Sequence, residues 1–223
     1  VGQCIGANAL AAVGSAYTLM VFLISILLGL SMGSGTVFSL QYGAGDLSAL
    51  RRSIYVSLLL IGTVTILLNV AVFLWLDPIL RWLQVPYDIY SLMRNYLWII
   101  FWGIVFTFLY NFYAALLRAV GDSVTPLWFL AVSVVLNIGL DLFLILVLDQ
   151  GIEGAAVATV IAQGTAASGI LLYTYKTRPE LRLHREDMCF DRSSLREITS
   201  FSTLTCVQQS VMNFGILMVQ GLV

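Results

Sequence analysis

Five long apolar runs divide the chain, at residues 16–38, 53–76, 96–117, 126–148 and 154–175, and short stretches rich in Arg, Asp, Gly and Pro separate them. A sixth run begins near residue 198 and continues to Val223. Each of the five exceeds 20 residues, which as a helix rising about 1.5 Å per residue crosses about 30 Å of hydrocarbon. The two-residue alternation of barrel strands is absent, so the spans are expected to be helices. The pattern predicts an all-α membrane protein, a polytopic bundle with about six transmembrane helices.

The connections carry local signals. Residues 1–15 are rich in Gly and Ala and read as an outer-face connection. In QYGAGDLSALRR, Asp46 or Ser48 is suited to cap a short helix that carries Arg51 and Arg52 at the membrane surface. The loop 77–95 holds Ile79, Leu80, Trp82 and Leu83 with Trp75, Tyr87 and Tyr90 nearby, a composition suited to a helix lying in the interface. Thr125 followed by Pro126 reads as N-cap and first helical residue. Gly-Asp pairs at 45–46 and 121–122, 76 residues apart, form a faint internal echo. The six residues DQGIEG make the fourth and fifth spans adjacent and antiparallel. The loop 176–197, with six basic and five acidic residues, is either a solvated linker or a joint between two helical bundles.

Composition agrees with the pattern: 60% of residues are hydrophobic and 10% charged, against about 45–50% and about 25% in soluble domains. Charge distribution adds orientation. If the spans alternate, one side holds Arg51, Arg52, Arg118, Lys176, Arg178, Arg182, Arg185, Arg192 and Arg196, and the other only Arg81 and Arg94. The positive-inside rule then places residue 1 outside and the loop 176–197 in the cytoplasm of a multi-pass protein of the cell (inner) membrane. No basic patch interleaved with aromatics suggests nucleic acid. Cys4, Cys189 and Cys206 offer no disulfide framework or metal spacing. The chain starts at Val1 without Met and stops inside an apolar run, which is the expectation for an internal piece of a longer protein.

Asp141 is the only ionisable Asp, Glu, Lys, Arg or His within the five complete spans. A charge near the bilayer centre costs roughly 2.5–3.5 kcal/mol on insertion scales, so such a residue faces a bundle interior or a watery cavity. Ser133, Asn137 and Asp141 follow one another at four-residue intervals and form one polar stripe. Folding the fourth span back on the fifth places Asp141 level with residue 160 and Asn137 level with 164, within one position of Thr159 and Gln163. A carboxyl group in low dielectric holds a proton and yields it when another cation enters, so the site suits a proton, a sodium ion or a cationic substrate. The bland alternative is a protonated Asp141 that bonds Asn137 or Thr159 as interhelical glue, with Ser133 and Gln163 in the same role. The Gly and Ala residues of GAAVAT, 154–159, are suited to close packing. An intramembrane aspartyl protease would need a second facing acid; the AVGD at 119–122 offers only Asp122, beside Arg118 in a loop, and no metal-hydrolase cluster is present.

The segments IGANALAAVGSA, QYGAGDLSALRR, LLRAVGDSVTPL, LNIGLD and GIEGAAVATVIAQ resemble the first half of a multidrug and toxic compound extrusion (MATE) transporter of the DinF-like branch. The resemblance implies a twelve-helix, two-lobe transporter in which a proton or sodium gradient drives export of small organic cations and amphipathic drugs. It implies that residues 1–175 are the second to sixth helices of the first lobe, with the first helix missing. Residues 176–197 would be the cytoplasmic inter-lobe loop and 198–223 the start of the seventh helix and second lobe. Asp141, Asn137 and Thr159 match the family's first-lobe cation site, which another acid on the first helix completes. No cofactor is implied beyond the coupling ion. A related reading is a lipid-linked oligosaccharide flippase of the same superfamily, which favours basic cavity residues; the complete spans contain no Arg or Lys.

Overall fold

The Gly-Asp pairs show how the chain turns. At Gly45 (φ +75°) and Gly121 (φ +88°) the backbone enters the left-handed region that glycine tolerates without a Cβ clash. The next residue in each case is an aspartate that caps the following helix. Asp46 Oδ1 accepts from the Ala49 N–H (3.0 Å) and the Ser48 hydroxyl (2.8 Å). Asp122 accepts from the Thr125 N–H (3.1 Å) and the Thr125 hydroxyl (2.9 Å). The echo is therefore a repeated turn device. It corrects the expected caps: Thr125 is the residue being capped, and Pro126 lies inside the first turn.

The computed structural model describes residues 7–82, 87–184, 187 and 191–220. Its helices are α1 (Ala7–Gly43), α2 (Leu47–Trp82), α3 (Tyr87–Trp102), α4 (Ile104–Ala119), α5 (Val124–Leu142), α6 (Gly151–Thr177) and α7 (Arg192–Gln220). A π-helical turn, Phe143–Val147, extends α5, and a 3-10 turn, Pro179–Leu181, follows α6. Among the described residues four helices are long and apolar enough to cross a membrane, and the bent α3–α4 pair makes a fifth when counted as one broken span. α7 has the length, at 29 residues, but its described part is interrupted by Ser, Thr, Gln and Asn. Cys4 and Cys189 lie outside the described residues.

Three expectations change. The outer-face connection 1–15 is already helical from Ala7, and the short helix after Asp46 is the opening of α2. The interfacial helix of 77–95 is divided between the end of α2 and the start of α3. α2 kinks at Trp75 (φ −112°, ψ 16°), just before Pro78, which lacks the N–H that would bond back one turn. Asp77 beyond the kink accepts from Arg94 (2.8 Å) and Tyr90 (3.0 Å), tying α2 to α3.

The third expected span, 96–117, is broken. α3 and α4 meet at Gly103 with a bend of 42°. Gly103 N bonds to Ile100 O (2.8 Å), a shorter step than the helical one, and the Phe101 carbonyl is satisfied by Asn69 Nδ2 from α2 (2.9 Å). A helix can break in a membrane only where neighbouring side chains satisfy the freed backbone groups, and Asn69 does this here. Asn69→Leu is expected to cost about 1 kcal/mol by orphaning that carbonyl, measured as a lower thermal midpoint of the purified protein.

The core sits where α1, α2, α3 and α4 converge, around Phe38, Phe101, Phe112 and Leu97, all buried. The Phe38 and Phe112 rings pack edge to face with centroids 5.9 Å apart. Between helices in lipid the hydrophobic effect gives little drive, so close approach of small residues matters more. α7 packs along α1 on such a seam. Gly29 lies against Cys206 and Gly33 against Ser202, whose hydroxyl donates to Leu30 O (3.2 Å). A Cβ at Gly29 would lie 2.7 Å from Cys206 Cα. Gly29→Val should therefore destabilise the protein by about 2 kcal/mol, while Gly139→Ala, with open space for its Cβ inside a helix, should hold or slightly raise the thermal midpoint.

The segment after α6 is docked onto the bundle. Leu181 is buried with Leu183 against the core, and Arg51 of α2 pairs with Asp187 at 2.8 Å. Burial raises the Asp187 proton affinity, but the His184 N–H and the Arg51 guanidinium outweigh it and hold the carboxyl below its ordinary range. Because that depression stabilises the ionised form in the fold, the contribution is present at neutral pH and is lost as pH falls through the folded value. Acidification should therefore loosen this segment first, seen as faster amide exchange around residue 187 at acid pH than the change in intrinsic rate accounts for.

Candidate cation site

Among the described spans α5 with its π turn is the least covered, with only 6% of its apolar stretch buried inside the bundle. Val132, Val134, Val135 and Ile138 point away from the bundle, and the polar stripe is what turns inward. α6 receives it with a row of buried alanines, Ala155, Ala158, Ala162 and Ala166, whose small side chains let α5 come close.

Contacts between the two helices divide the five expected residues. Asn137 Nδ2 donates to Thr159 Oγ1 (3.3 Å), and the Thr159 hydroxyl donates to Ala155 O (3.0 Å). Thr159 is thereby fixed as acceptor towards Asn137. Ser133 is buried and its hydroxyl donates to Ala162 O (2.9 Å), the interhelical glue weighed as one of its roles. Gln163 faces the break: its Oε1 would lie 2.7 Å from a Cβ placed on Gly103. It also lines a small space with Ile100, Ile104 and Thr107. The geometry thus joins Asn137 to Thr159 and gives Ser133 and Gln163 separate partners.

The register differs from the expected one. Thr159 is level with Asn137, which leaves Asp141 level with the neighbourhood of Ala155 and not with residue 160. Most of the difference arises because α6 begins at Gly151, earlier than the apolar run at 154 suggests; the rest lies just beyond Asp141, where the helix widens into the π turn and Leu148 N bonds back to Phe143 O (3.2 Å). The connection then closes in three residues, 148–150, with positive φ at Asp149 (50°) and Gly151 (57°). A π turn takes up an extra residue, and such turns recur at functional sites.

Asp141 Oδ1 is shielded from solvent and has no hydrogen-bond partner among the described residues. An unpartnered buried carboxylate oxygen is costly. Opposite are small alanines, with the amide of Asn137 one turn away. Tyr96 of α3 is buried in the bundle core. The adjacent Asn95 binds Glu153 of α6 (2.9 Å) and holds α3 against this seam. Asp122, the second acid a protease would need, is committed to capping α5.

A kinked and broken bundle of apolar helices with an acid set in a polar seam between adjacent spans is the architecture of a polytopic membrane protein, and intramembrane acids of this kind mark ion or substrate pathways. The MatE family model matches residues 1–143, and the chain belongs to that family of transporters, which is not a family of enzymes. It is 38% identical over 176 residues to the probable multidrug resistance protein YpnP of Bacillus subtilis, covering 79% of this chain and 40% of that protein. It is 34% identical over 200 residues to the probable multidrug resistance protein YoeA of the same organism, covering 88% of this chain and 42% of that protein. A crystal structure of a MATE protein in complex with MaL6 superposes with a TM-score of 0.91 at 21% identity, over 99% of this chain and 50% of that one. The chain spans less than half the length of these curated relatives.

Proposed function

We propose that the whole protein is a secondary active antiporter that exports cationic or amphipathic drugs and toxic compounds, driven by a proton or sodium gradient exchanged at Asp141. The observation that carries this reading is the shielded, unpartnered Oδ1 of Asp141 beside a polar pair whose orientation is already fixed. Empty and ionised, the carboxylate bears a penalty of roughly 2.5–3.5 kcal/mol; a proton or Na⁺ removes most of it. Such a difference corresponds to about two decades in an equilibrium constant. It is large enough to decide which of two transporter conformations is populated. With Nδ2 committed to Thr159, Asn137 Oδ1 remains an acceptor for a hard cation, and Thr159 cannot rotate away because Ala155 O holds its proton.

In this reading residues 1–175 are helices two to six of the first lobe, 176–197 the inter-lobe loop and 198–223 the opening of the second lobe. The end of the bundle with Arg51, Arg118 and Arg178 faces the cytoplasm, as the nine-to-two distribution of basic residues favours. Multidrug resistance in the names of the relatives supports an efflux role. The absence of Arg and Lys from the five complete spans favours a cationic cargo over a phosphate-bearing one. Cells expressing the intact protein should expel a cationic dye and should not flip a lipid-linked oligosaccharide precursor. Flipping without dye efflux would replace this reading by the flippase one.

A further inference from the structure

At the basic end of the bundle, α2, α4, α6 and the 3-10 turn enclose a pocket of about 210 Å³. Its apolar wall includes Ile54, Leu116 and Leu181, its charged groups are Arg178 and Arg182, and Thr174, Tyr113 and Tyr175 complete its polar lining. None of the lining residues is acidic. The volume is below that of a pocket for a drug-sized ligand, about 300–1,000 Å³, and sufficient for a small anionic group.

The two guanidinium groups are only partly engaged. Arg178 Nε is shielded from solvent with no hydrogen-bond partner among the described residues. Its carboxylate neighbours, Asp122 and Glu180, stand at 3.8 and 3.7 Å, beyond a good charge-assisted hydrogen bond. Asp122 is moreover occupied with capping α5. Arg182 lies over the Tyr175 ring at 4.5 Å and donates its Nε to Tyr175 O (2.8 Å). That arrangement holds the side chain in place, and its two terminal nitrogens have no hydrogen bond to any described residue. The carbonyls ending α6 would repel an anion, but Tyr175 O is covered by Arg182 and Thr174 O by the Arg178 N–H.

We propose that this pocket is a binding site for a phosphate-class anion gripped by Arg178 and Arg182, presented by the headgroup of an anionic phospholipid with its glycerol and upper acyl carbons against the apolar walls. Guanidinium forks match phosphate oxygens in pairs, and basic pockets between membrane helices at the cytoplasmic surface suit anionic headgroups. The bound lipid would tie α6 and the segment after it to α2 and α4.

The test is titration calorimetry on the intact transporter in neutral detergent. The probes are dihexanoyl phosphatidylglycerol, dihexanoyl phosphatidylcholine and inorganic phosphate. Phosphatidylglycerol should bind saturably and more tightly than phosphatidylcholine. Arg178→Gln and Arg182→Gln should each weaken it by about tenfold or more, the loss of one charge-assisted contact. Arg94→Gln, at the opposite end of the bundle, should leave binding unchanged. Weak or absent binding of inorganic phosphate assigns the anion to a lipid, and phosphate binding that competes with phosphatidylglycerol assigns it to a soluble source at the same arginines. Arg182→Gln keeps the test open if Arg178→Gln does not fold, since Arg182 has no carboxylate partner among the described residues. Equal binding of the two lipids, or wild-type binding by a folded Arg182→Gln protein, would overturn the proposal.

Discussion

Asp141→Asn in the intact protein is expected to abolish ion-driven efflux while the protein inserts and folds normally. Asn is close to isosteric and stays neutral, so it removes the buried charge penalty together with the ability to exchange a cation. Stability should hold or rise slightly, because Oδ1 has no partner to lose, and the thermal midpoint separates this outcome from misfolding. Thr159→Val is expected to be milder. It frees the Asn137 amide from its 3.3 Å contact without touching the carboxylate, so about tenfold weaker apparent cation affinity is expected, as for loss of an outer-shell partner. A wild-type transport rate in Asp141→Asn would remove the coupling role of this seam.

Gly103→Val is expected to have the second largest effect, on folding as well as transport. A Cβ there meets Gln163 Oε1 at 2.7 Å, Ile100 O at 3.0 Å and Val160 Cγ2 at 3.2 Å, two from α6 and one from the preceding turn. The amide end of Gln163 can move; the Ile100 carbonyl belongs to the tight turn that makes the 42° bend. A cost of about 2–3 kcal/mol is expected from overpacking with a β-branched residue. Gly103→Ala should be less severe, and adding Gln163→Ala should recover part of its loss. That non-additivity in a double-mutant cycle checks that the two residues meet. A full-strength Gly103→Val protein would show that the break is not enforced by α6.

The spans and the Gly-Asp turns were legible because their causes are local: apolar length, a glycine that adopts positive φ, and an aspartate three residues from the N–H it caps. The break at Gly103 was not. No proline marks it, and the residue that makes it tolerable, Asn69, bonds to Phe101 across 32 positions of sequence. The kink at Trp75 could have been read from Pro78, but the aromatic cluster there suggested a separate interfacial helix. At the seam, four-residue spacing correctly grouped Ser133, Asn137 and Asp141 on one face. The depth match to α6 failed by about one turn, mostly because counting residues across the loop took α6 to begin at residue 154, whereas it begins at Gly151. The π turn after Asp141 takes up about one residue more. Gln163 was placed on the correct helix but matched in depth to the wrong neighbour for the same reason.

The central claim is that Asp141 couples cation exchange to export. It is tested most directly by dye efflux from proteoliposomes of the intact protein, with sodium and pH gradients imposed separately, for wild type and Asp141→Asn side by side. One or both gradients should drive efflux by the wild type, identifying the coupling ion, and neither should drive it in Asp141→Asn. Gradient-driven efflux at the wild-type rate in Asp141→Asn would contradict the account.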